Sequence, residues 1–260
     1  MSDELWDVLQ VTYAERPTTR SAMFDRFVDS GEPDGPLLMD YNFWVLRRPG
    51  SVLLVDTGYD VAARPGFEEV ETIRALDALA ALDIDASEVD GVILTHYHFD
   101  HIANVGLFPH ARLYASAIED AYWTGHERFG IDAEIVRDED LAQIEAARAE
   151  GRLTLLHGDY EVAPGVRVHA VPGHTDGQLV VIVAGRSGNV LLTSDAVHFY
   201  EQVELGWNFF VYADLAQMQH SYRTIRALAE DAGATIVPGH DARVRERHPR
   251  SAGPYLTVLS

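Results

Sequence analysis

Apolar residues recur along this chain in two rhythms. Short apolar and β-branched runs predict strands over residues 5–13, 42–46, 51–55 and 91–94. They predict further strands over 153–156, 166–171, 179–183, 190–193 and 235–237. A helical spacing of three governs residues 67–82, where Val70, Ile73, Leu76 and Leu79 draw one stripe. A second helix is predicted from a cap at Asp214 to about Ala232, with Leu215, Met218, Tyr222, Ile225 and Leu228 on one face. Residues 16–35 read as polar and irregular, broken by Pro17, Pro33 and Gly35. Residues 116–151 are acidic and rich in Ala and Glu. They read as an inserted helical segment anchored by Tyr122, Trp123 and Phe129. Several strands in a row in each half predict two packed sheets with helices outside.

Composition narrows the partners. Nearly half of the 260 residues are hydrophobic, so a large core can form. The formal net charge is -21, which repels nucleic-acid phosphates and anionic lipid headgroups. The chain has no cysteine, so a metal site must use His, Asp or Glu. Met1-Ser2-Asp3-Glu4 opens no basic stretch followed by an apolar run, and no segment approaches the roughly 20 apolar residues of a membrane span. The expectation is a cytoplasmic protein that binds neither nucleic acid nor membrane.

Chemistry concentrates at His96-Tyr97-His98-Phe99-Asp100-His101, directly after an apolar strand. In an extended segment residues two apart point the same way, so His96 and His98 can share one metal. Asp100 and His101 lie where the chain turns and can reach a second. Imidazole and carboxylate together suit zinc, iron, manganese or cobalt. His174, Asp195 and His240 each follow a predicted strand, and together they supply the ligands that two open metal sites need. His110, His126, His157, His169, His220 and His248 read as surface or internally satisfied side chains.

These residues, with Leu53-Leu54-Val55-Asp56-Thr57-Gly58, Thr95, Pro172-Gly173-His174-Thr175 and Pro238-Gly239-His240, give the chain a resemblance to the metallo-β-lactamase-fold hydrolases over roughly residues 40–245. The resemblance implies an α/β fold of the αββα sandwich type. It implies a single domain over 1–260, with the helical insertion at about 116–151. It further implies two divalent metal ions, zinc first, with His96, His98 and His174 on one and Asp100, His101 and His240 on the other. Asp195 would bridge them, and Asp56 would orient the site from behind.

Two such ions about 3.5–4 Å apart lower the pKa of a shared water toward about 7, which gives a nucleophile without Ser or Cys. Asp100 is placed to relay a proton while ligating. Within the family the pattern is most similar to the N-acyl homoserine lactone lactonases, which implies ring opening of an uncharged lactone with an apolar tail. His198 stands where those enzymes carry a substrate-binding tyrosine, and Tyr200 lies two residues on, so either can serve. Gln178 replaces a histidine common after the Gly-His-Thr turn. The aromatic run Trp207–Tyr212 reads either as a wall for an acyl chain or as core and subunit interface, so a homodimer is one expectation. Glyoxalase II-like thioesterases and phosphotriesterases are the alternatives within the fold. Di-iron redox chemistry would call for a flavodoxin partner domain, for which the chain has no room. A non-catalytic module is disfavoured because every expected ligand is present.

Overall fold

The computed structural model describes residues 5–63, 70–125, 127–248 and 251–260. Seven strands come from the first part of the chain: β1 (Asp7–Thr19), β2 (Pro36–Arg48), β3 (Ser51–Val55), β4 (Val70–Glu71), β5 (Gly91–Ile93), β6 (Arg112–Ser116) and β7 (Leu153–Leu156). Seven follow: β8 (Tyr160–Ala163), β9 (Val166–Ala170), β10 (Leu179–Val183), β11 (Asn189–Ser194), β12 (Ala234–Pro238), β13 (Ser251–Gly253) and β14 (Leu256–Val258). One sheet runs β13-β14-β1-β2-β3-β5-β6-β7, with β4 also on β1, and the other runs β12-β11-β10-β9-β8.

The period of two along each strand decides which sheet face is buried where. Leu53 and Val55 point toward the second sheet, where they meet Val168, Val181, Leu192 and Val237. Leu54, between them, faces the opposite way into a cluster with Ala78, Leu79, Leu141 and Ile144. Those four residues belong to the helices Ala75–Ala80 and Asp138–Ala149. On the far side, Val180 and Leu191 meet Met218, Tyr222 and Ile225 of the helix Leu215–Ala232. The layers are therefore helix, sheet, sheet, helix: an αββα sandwich. Asp214 caps the last of these helices as expected, its carboxylate accepting from the backbone N of Gln217 at 2.9 Å.

Several expectations need correction. Residues 67–69 of the stripe predicted over 67–82 lie outside the described residues. Beyond them, Val70 is in β4 and exposed, and only Ala75–Ala80 is helical. β-branched Val70, Thr72 and Ile73 favour extended backbone, and Thr72 N bonds Tyr13 O of β1 at 2.9 Å. The irregular stretch from residue 16 is partly strand, because Arg16–Thr19 continue β1 against Pro36–Met39 of β2. Strands β6, β8, β13 and β14 were not predicted. Phe129 does not anchor its segment, being 70% exposed, whereas Trp123 is buried. Among the described residues no helix is long and apolar enough to cross a membrane.

Candidate metal centre

Strand direction brings the polar motifs to one edge of the sandwich. β3 and β5 are parallel, and so are β11 and β12. Their C-terminal ends carry Asp56, His96, Asp195 and His240, while His174 sits in the turn between β9 and β10. Asp56 (φ 61°) and Ser194 (φ 44°) turn the chain out of β3 and β11 in left-handed backbone. That conformation costs a non-glycine residue about 1–3 kcal/mol, and here it occurs at a site rich in polar side chains. At Gly239 a Cβ would fall 2.7 Å from the carbonyl carbon and oxygen of Ser194, so the loops carrying Asp195 and His240 touch only because glycine separates them.

The structure gathers all seven side chains expected as ligands into two groups that share Asp195. His96, His98, His174 and Asp195 form one, and Asp100, His101, Asp195 and His240 form the other. Within each group the donor atoms lie within 4.8 Å of one another. All are buried.

Backbone and side-chain acceptors fix the ring orientations. His174 Nδ1 donates to Val211 O at 3.0 Å, and His240 Nδ1 donates to Asp40 O at 2.7 Å. His101 Nδ1 donates to Asp56 Oδ2 at 2.8 Å. Each of these bonds leaves Nε2 of a neutral ring as a lone pair aimed into the centre. There His240 Nε2 faces Asp195 Oδ1 at 2.9 Å, and His101 Nε2 faces the same oxygen at 3.2 Å. A lone pair opposite a carboxylate oxygen repels unless a cation or proton lies between them. His96 Nε2 and His101 Nε2 are moreover buried without a hydrogen-bond partner among the described residues. Such a group costs about 1–3 kcal/mol, a cost that a bound cation removes. The donor set fits divalent metal.

Electrostatics divide the two groups. Burial, reinforced by neighbouring histidines, pushes His96 and His98 well below the usual imidazole range. Burial would also lower His101 and His240, but the adjoining carboxylates, Asp100 and Asp195 for His101 and Asp195 for His240, outweigh it and raise both. Burial opposes ionisation of Asp195, yet His198, His240 and His101 hold it well below the carboxylate range. Burial lowers His174 as well, so His96, His98 and His174 stand neutral, whereas the Nε2 atoms of His101 and His240 meet their carboxylates only with a proton, or a cation in its place, between them.

His198 joins the centre. Its Nε2 lies 3.0 Å from Asp195 Oδ2, and its ring stacks on Phe209 with centroids 3.5 Å apart. Burial pushes its pKa down to about 3, against the opposing charge of Asp195. Its Nδ1 is buried without a hydrogen-bond partner among the described residues. Tyr200 does not join it. Its ring lies between the sheets with Arg247 Cζ 3.5 Å from its centroid, and it lines a groove with Val203 and Ile236 that contains none of the gathered residues. The turn after His198 starts the helix Tyr200–Glu204, which carries Tyr200 away. His110, His157 and His220 are exposed, His169 pairs with Asp159, and His126 lies outside the described residues.

A cavity opens beside His98 and His174, walled by Tyr122, Trp123, Ile131, Ile135, Val211 and Tyr212. The run from Trp207 thus divides: Val211 and Tyr212 face the cavity, Phe209 backs His198, and Trp207 packs on Phe24 and Phe27. Sequence reasoning missed Glu119, a buried carboxylate beneath both histidine loops, and Tyr13, whose hydroxyl donates to Asp100 O at 2.8 Å. Glu119 left one signal: with Asp120 it makes a pair of carboxylates in the otherwise apolar, small-residue stretch from Leu113 to Ala121 that runs from β6 into a helix.

Comparison with known proteins agrees with this arrangement. The N-acyl homoserine lactonase AttM of Azorhizobium caulinodans is 30% identical over 186 residues, 67% of this chain and 66% of that protein. The match thus spans just under two thirds of that relative's length. A crystal structure of a quorum-quenching N-acyl homoserine lactone lactonase superposes with a TM-score of 0.75 at 21% identity, covering 94% of this chain and 95% of that one. AidC, a dizinc quorum-quenching lactonase, superposes with a TM-score of 0.70 at 18% identity, covering 98% and 94%. The family model described as the metallo-beta-lactamase superfamily matches residues 38–240. With the αββα layers and the clustered His and Asp side chains at one sheet edge, that match places the chain in the metallo-β-lactamase superfamily.

Proposed function

We propose that this protein is a metal-dependent hydrolase that opens lactone rings, with N-acyl homoserine lactones as its substrate class. The observation that carries the reading is the pairing of two donor groups sharing Asp195 with an apolar cavity that starts at His98 and His174. AttM, the relative above, is named for this reaction. In this reading His96, His98 and His174 would hold one zinc ion, Asp100, His101 and His240 would hold a second, and Asp195, common to both donor groups, would serve both. When bound, such ions polarise a carbonyl and lower the pKa of water toward about 7.

The chain's own groups do the rest. Asp100 Oδ2 lies 3.5 Å from His101 Nε2 and 3.8 Å from His240 Nε2, and the residue is only 8% exposed. It takes the proton shed by the attacking water and passes it to the ring oxygen as the ester bond breaks. His198, pinned by Phe209, contacts the substrate ring in place of the tyrosine used by similar lactonases. Tyr122, Trp123, Ile131 and Ile135 enclose the acyl chain, burying it at about 0.8 kcal/mol per methylene. Residues 116–151 are thus an insertion in a single domain, and they build one wall of the substrate cavity. A neutral substrate also suits a chain of net charge -21 better than a phosphoester does.

The test is a substrate panel for the zinc-loaded protein with His96→Ala as control. It contains acyl homoserine lactones of several lengths, simple lactones, an aryl ester, S-lactoylglutathione and an aryl phosphotriester. Lactone opening that is lost in the variant supports the reading. Turnover confined to the thioester or the phosphotriester refutes the substrate class.

A further inference from the structure

We infer that Glu119 is a positioning residue that ties the His98 loop to the His174 loop and joins both to the helical wall of the cavity. The inference rests on the metal centre proposed above. Glu119 is 1% exposed. Its Oε1 accepts from the backbone N of Tyr97 at 2.9 Å and from Trp123 Nε1 at 2.7 Å, and its Oε2 accepts from the backbone N of Gly177 at 3.1 Å. Tyr97 stands between His96 and His98, and Gly177 stands three residues after His174. The first loop leaves β5 of one sheet, and the second joins β9 to β10 of the other. One carboxylate therefore spans the two sheets at the point where their histidines converge.

Contacts around these bonds show that the geometry is tight. A Cβ on Gly177 would fall 2.4 Å from the backbone N and Cβ of Glu119, so the turn after His174 rests on the helix Ala117–Gly125 itself. The indole that Glu119 holds lies edge-on to His98, with ring centroids 5.7 Å apart at 74°. His98 Nδ1 is in turn 3.0 Å from His174 Nε2. Burying a carboxylate is costly unless donors satisfy it, and three converge here. Replacing it with an amide puts an –NH2 against at least one of those N–H groups, which forces one loop away from the helix. The displaced loop carries a ligand of the group His96, His98 and His174. The –NH2 opposes two donors at the Oε1 position and one at Oε2, so the Gly177 side gives way, and that loop carries none of Asp100, His101 and His240.

The experiment compares zinc-loaded wild-type protein with Glu119→Gln by titration with a chromophoric chelator, with the melting temperature recorded alongside. The expected result is a folded variant in which one ion leaves at an affinity about 10- to 100-fold lower, while the other follows the wild type. A purely structural role would lower the melting temperature and leave both affinities unchanged, and that outcome overturns the inference. A wild type that takes up no zinc overturns the metal centre and the inference with it. If the variant does not fold, hydrogen exchange on the wild type decides. Removing zinc should speed exchange at the amides of Tyr97 and Gly177 about tenfold more than at Val181 within β10. Equal acceleration at all three amides overturns the inference.

Discussion

Replacing Asp56 with asparagine exchanges one oxygen for –NH2 and should weaken metal binding at the centre. Asp56 is fully buried. Its Oδ1 accepts from Thr95 N at 2.8 Å. Its Oδ2 accepts from Thr95 Oγ1 at 2.8 Å, His101 Nδ1 at 2.8 Å and Ser194 Oγ at 3.2 Å. The Thr95 N–H and the His101 Nδ1–H each need an acceptor here, whereas the two hydroxyls can turn to donate or accept. If the amide nitrogen takes the place of Oδ1, it meets the N–H of Thr95, donor against donor, at the residue before His96. If it takes the place of Oδ2, it meets His101 Nδ1. That nitrogen can accept only by moving its proton to Nε2, the atom aimed at Asp195. Either arrangement leaves one buried polar group unsatisfied, at about 1–3 kcal/mol. Expressed on metal binding, this is about 5- to 150-fold in affinity, in line with the 10- to 100-fold typical when a carboxylate behind a ligating histidine is lost. Chelator competition on zinc-loaded Asp56→Asn, with the melting temperature as a check on folding, measures the effect. A folded variant that binds both ions within about twofold of the wild type would refute the reasoning, because the tautomer of His101 would then not depend on Asp56.

Three further outcomes are expected. His198→Ala should lower lactone turnover about 100-fold, the scale of one lost transition-state donor, with zinc content by elemental analysis unchanged. Unchanged turnover would remove His198 from the reaction. Gly239→Ala should lower both the melting temperature and zinc occupancy, since its methyl would sit 2.7 Å from the backbone of Ser194 and part the Asp195 and His240 loops. A variant that melts like the wild type would show that the loops give way freely. Stripping zinc with a chelator should lower apparent stability by about 2.7 kcal/mol relative to protein held at a hundred times its dissociation constant, read as a fall in melting temperature. Identical melting curves would mean that the ions do not bind the folded centre preferentially.

Much of the centre was legible in the sequence because its ligands lie at the ends of apolar strands. The runs leading to Asp56, His96, Asp195 and His240 form β3, β5, β11 and β12, close to their expected bounds. Two parallel pairings then bring the four ends to one edge. What could not be read locally depended on partners far along the chain. Val70 and Ile73 keep a spacing that suits a helix, but the backbone bonds of their segment go to β1, nearly sixty residues earlier in the chain. Arg16–Thr19 lack an apolar alternation because that end of the β1–β2 ribbon is half exposed, and pairing with β2 makes it strand. Tyr200 and His198 are equally near Asp195 in sequence. The helix begun at Tyr200 sends that ring under Arg247, and only then is His198 left beside the carboxylate.

The same division runs between the chemistry and the substrate. The groups that would hold metal are set by short motifs, and those of His174 and His240 carry a glycine where two backbones meet, Gly173 and Gly239. The wall that would select an acyl chain comes from Tyr122, Trp123, Ile131 and Ile135 on one side and Val211 and Tyr212 on the other. Neither segment shows a sharp apolar period, because each splits its aromatic residues between cavity, core and solvent. Trp123 is buried, Phe210 is half exposed, and Phe129 is mostly exposed. Substrate preference should therefore respond to changes in these two segments without loss of metal, with Trp123 the exception. Its indole contacts His98 and is held by the carboxylate that also holds the His98 and His174 loops. At that one residue, a change that reshapes the acyl wall should also move a ligand.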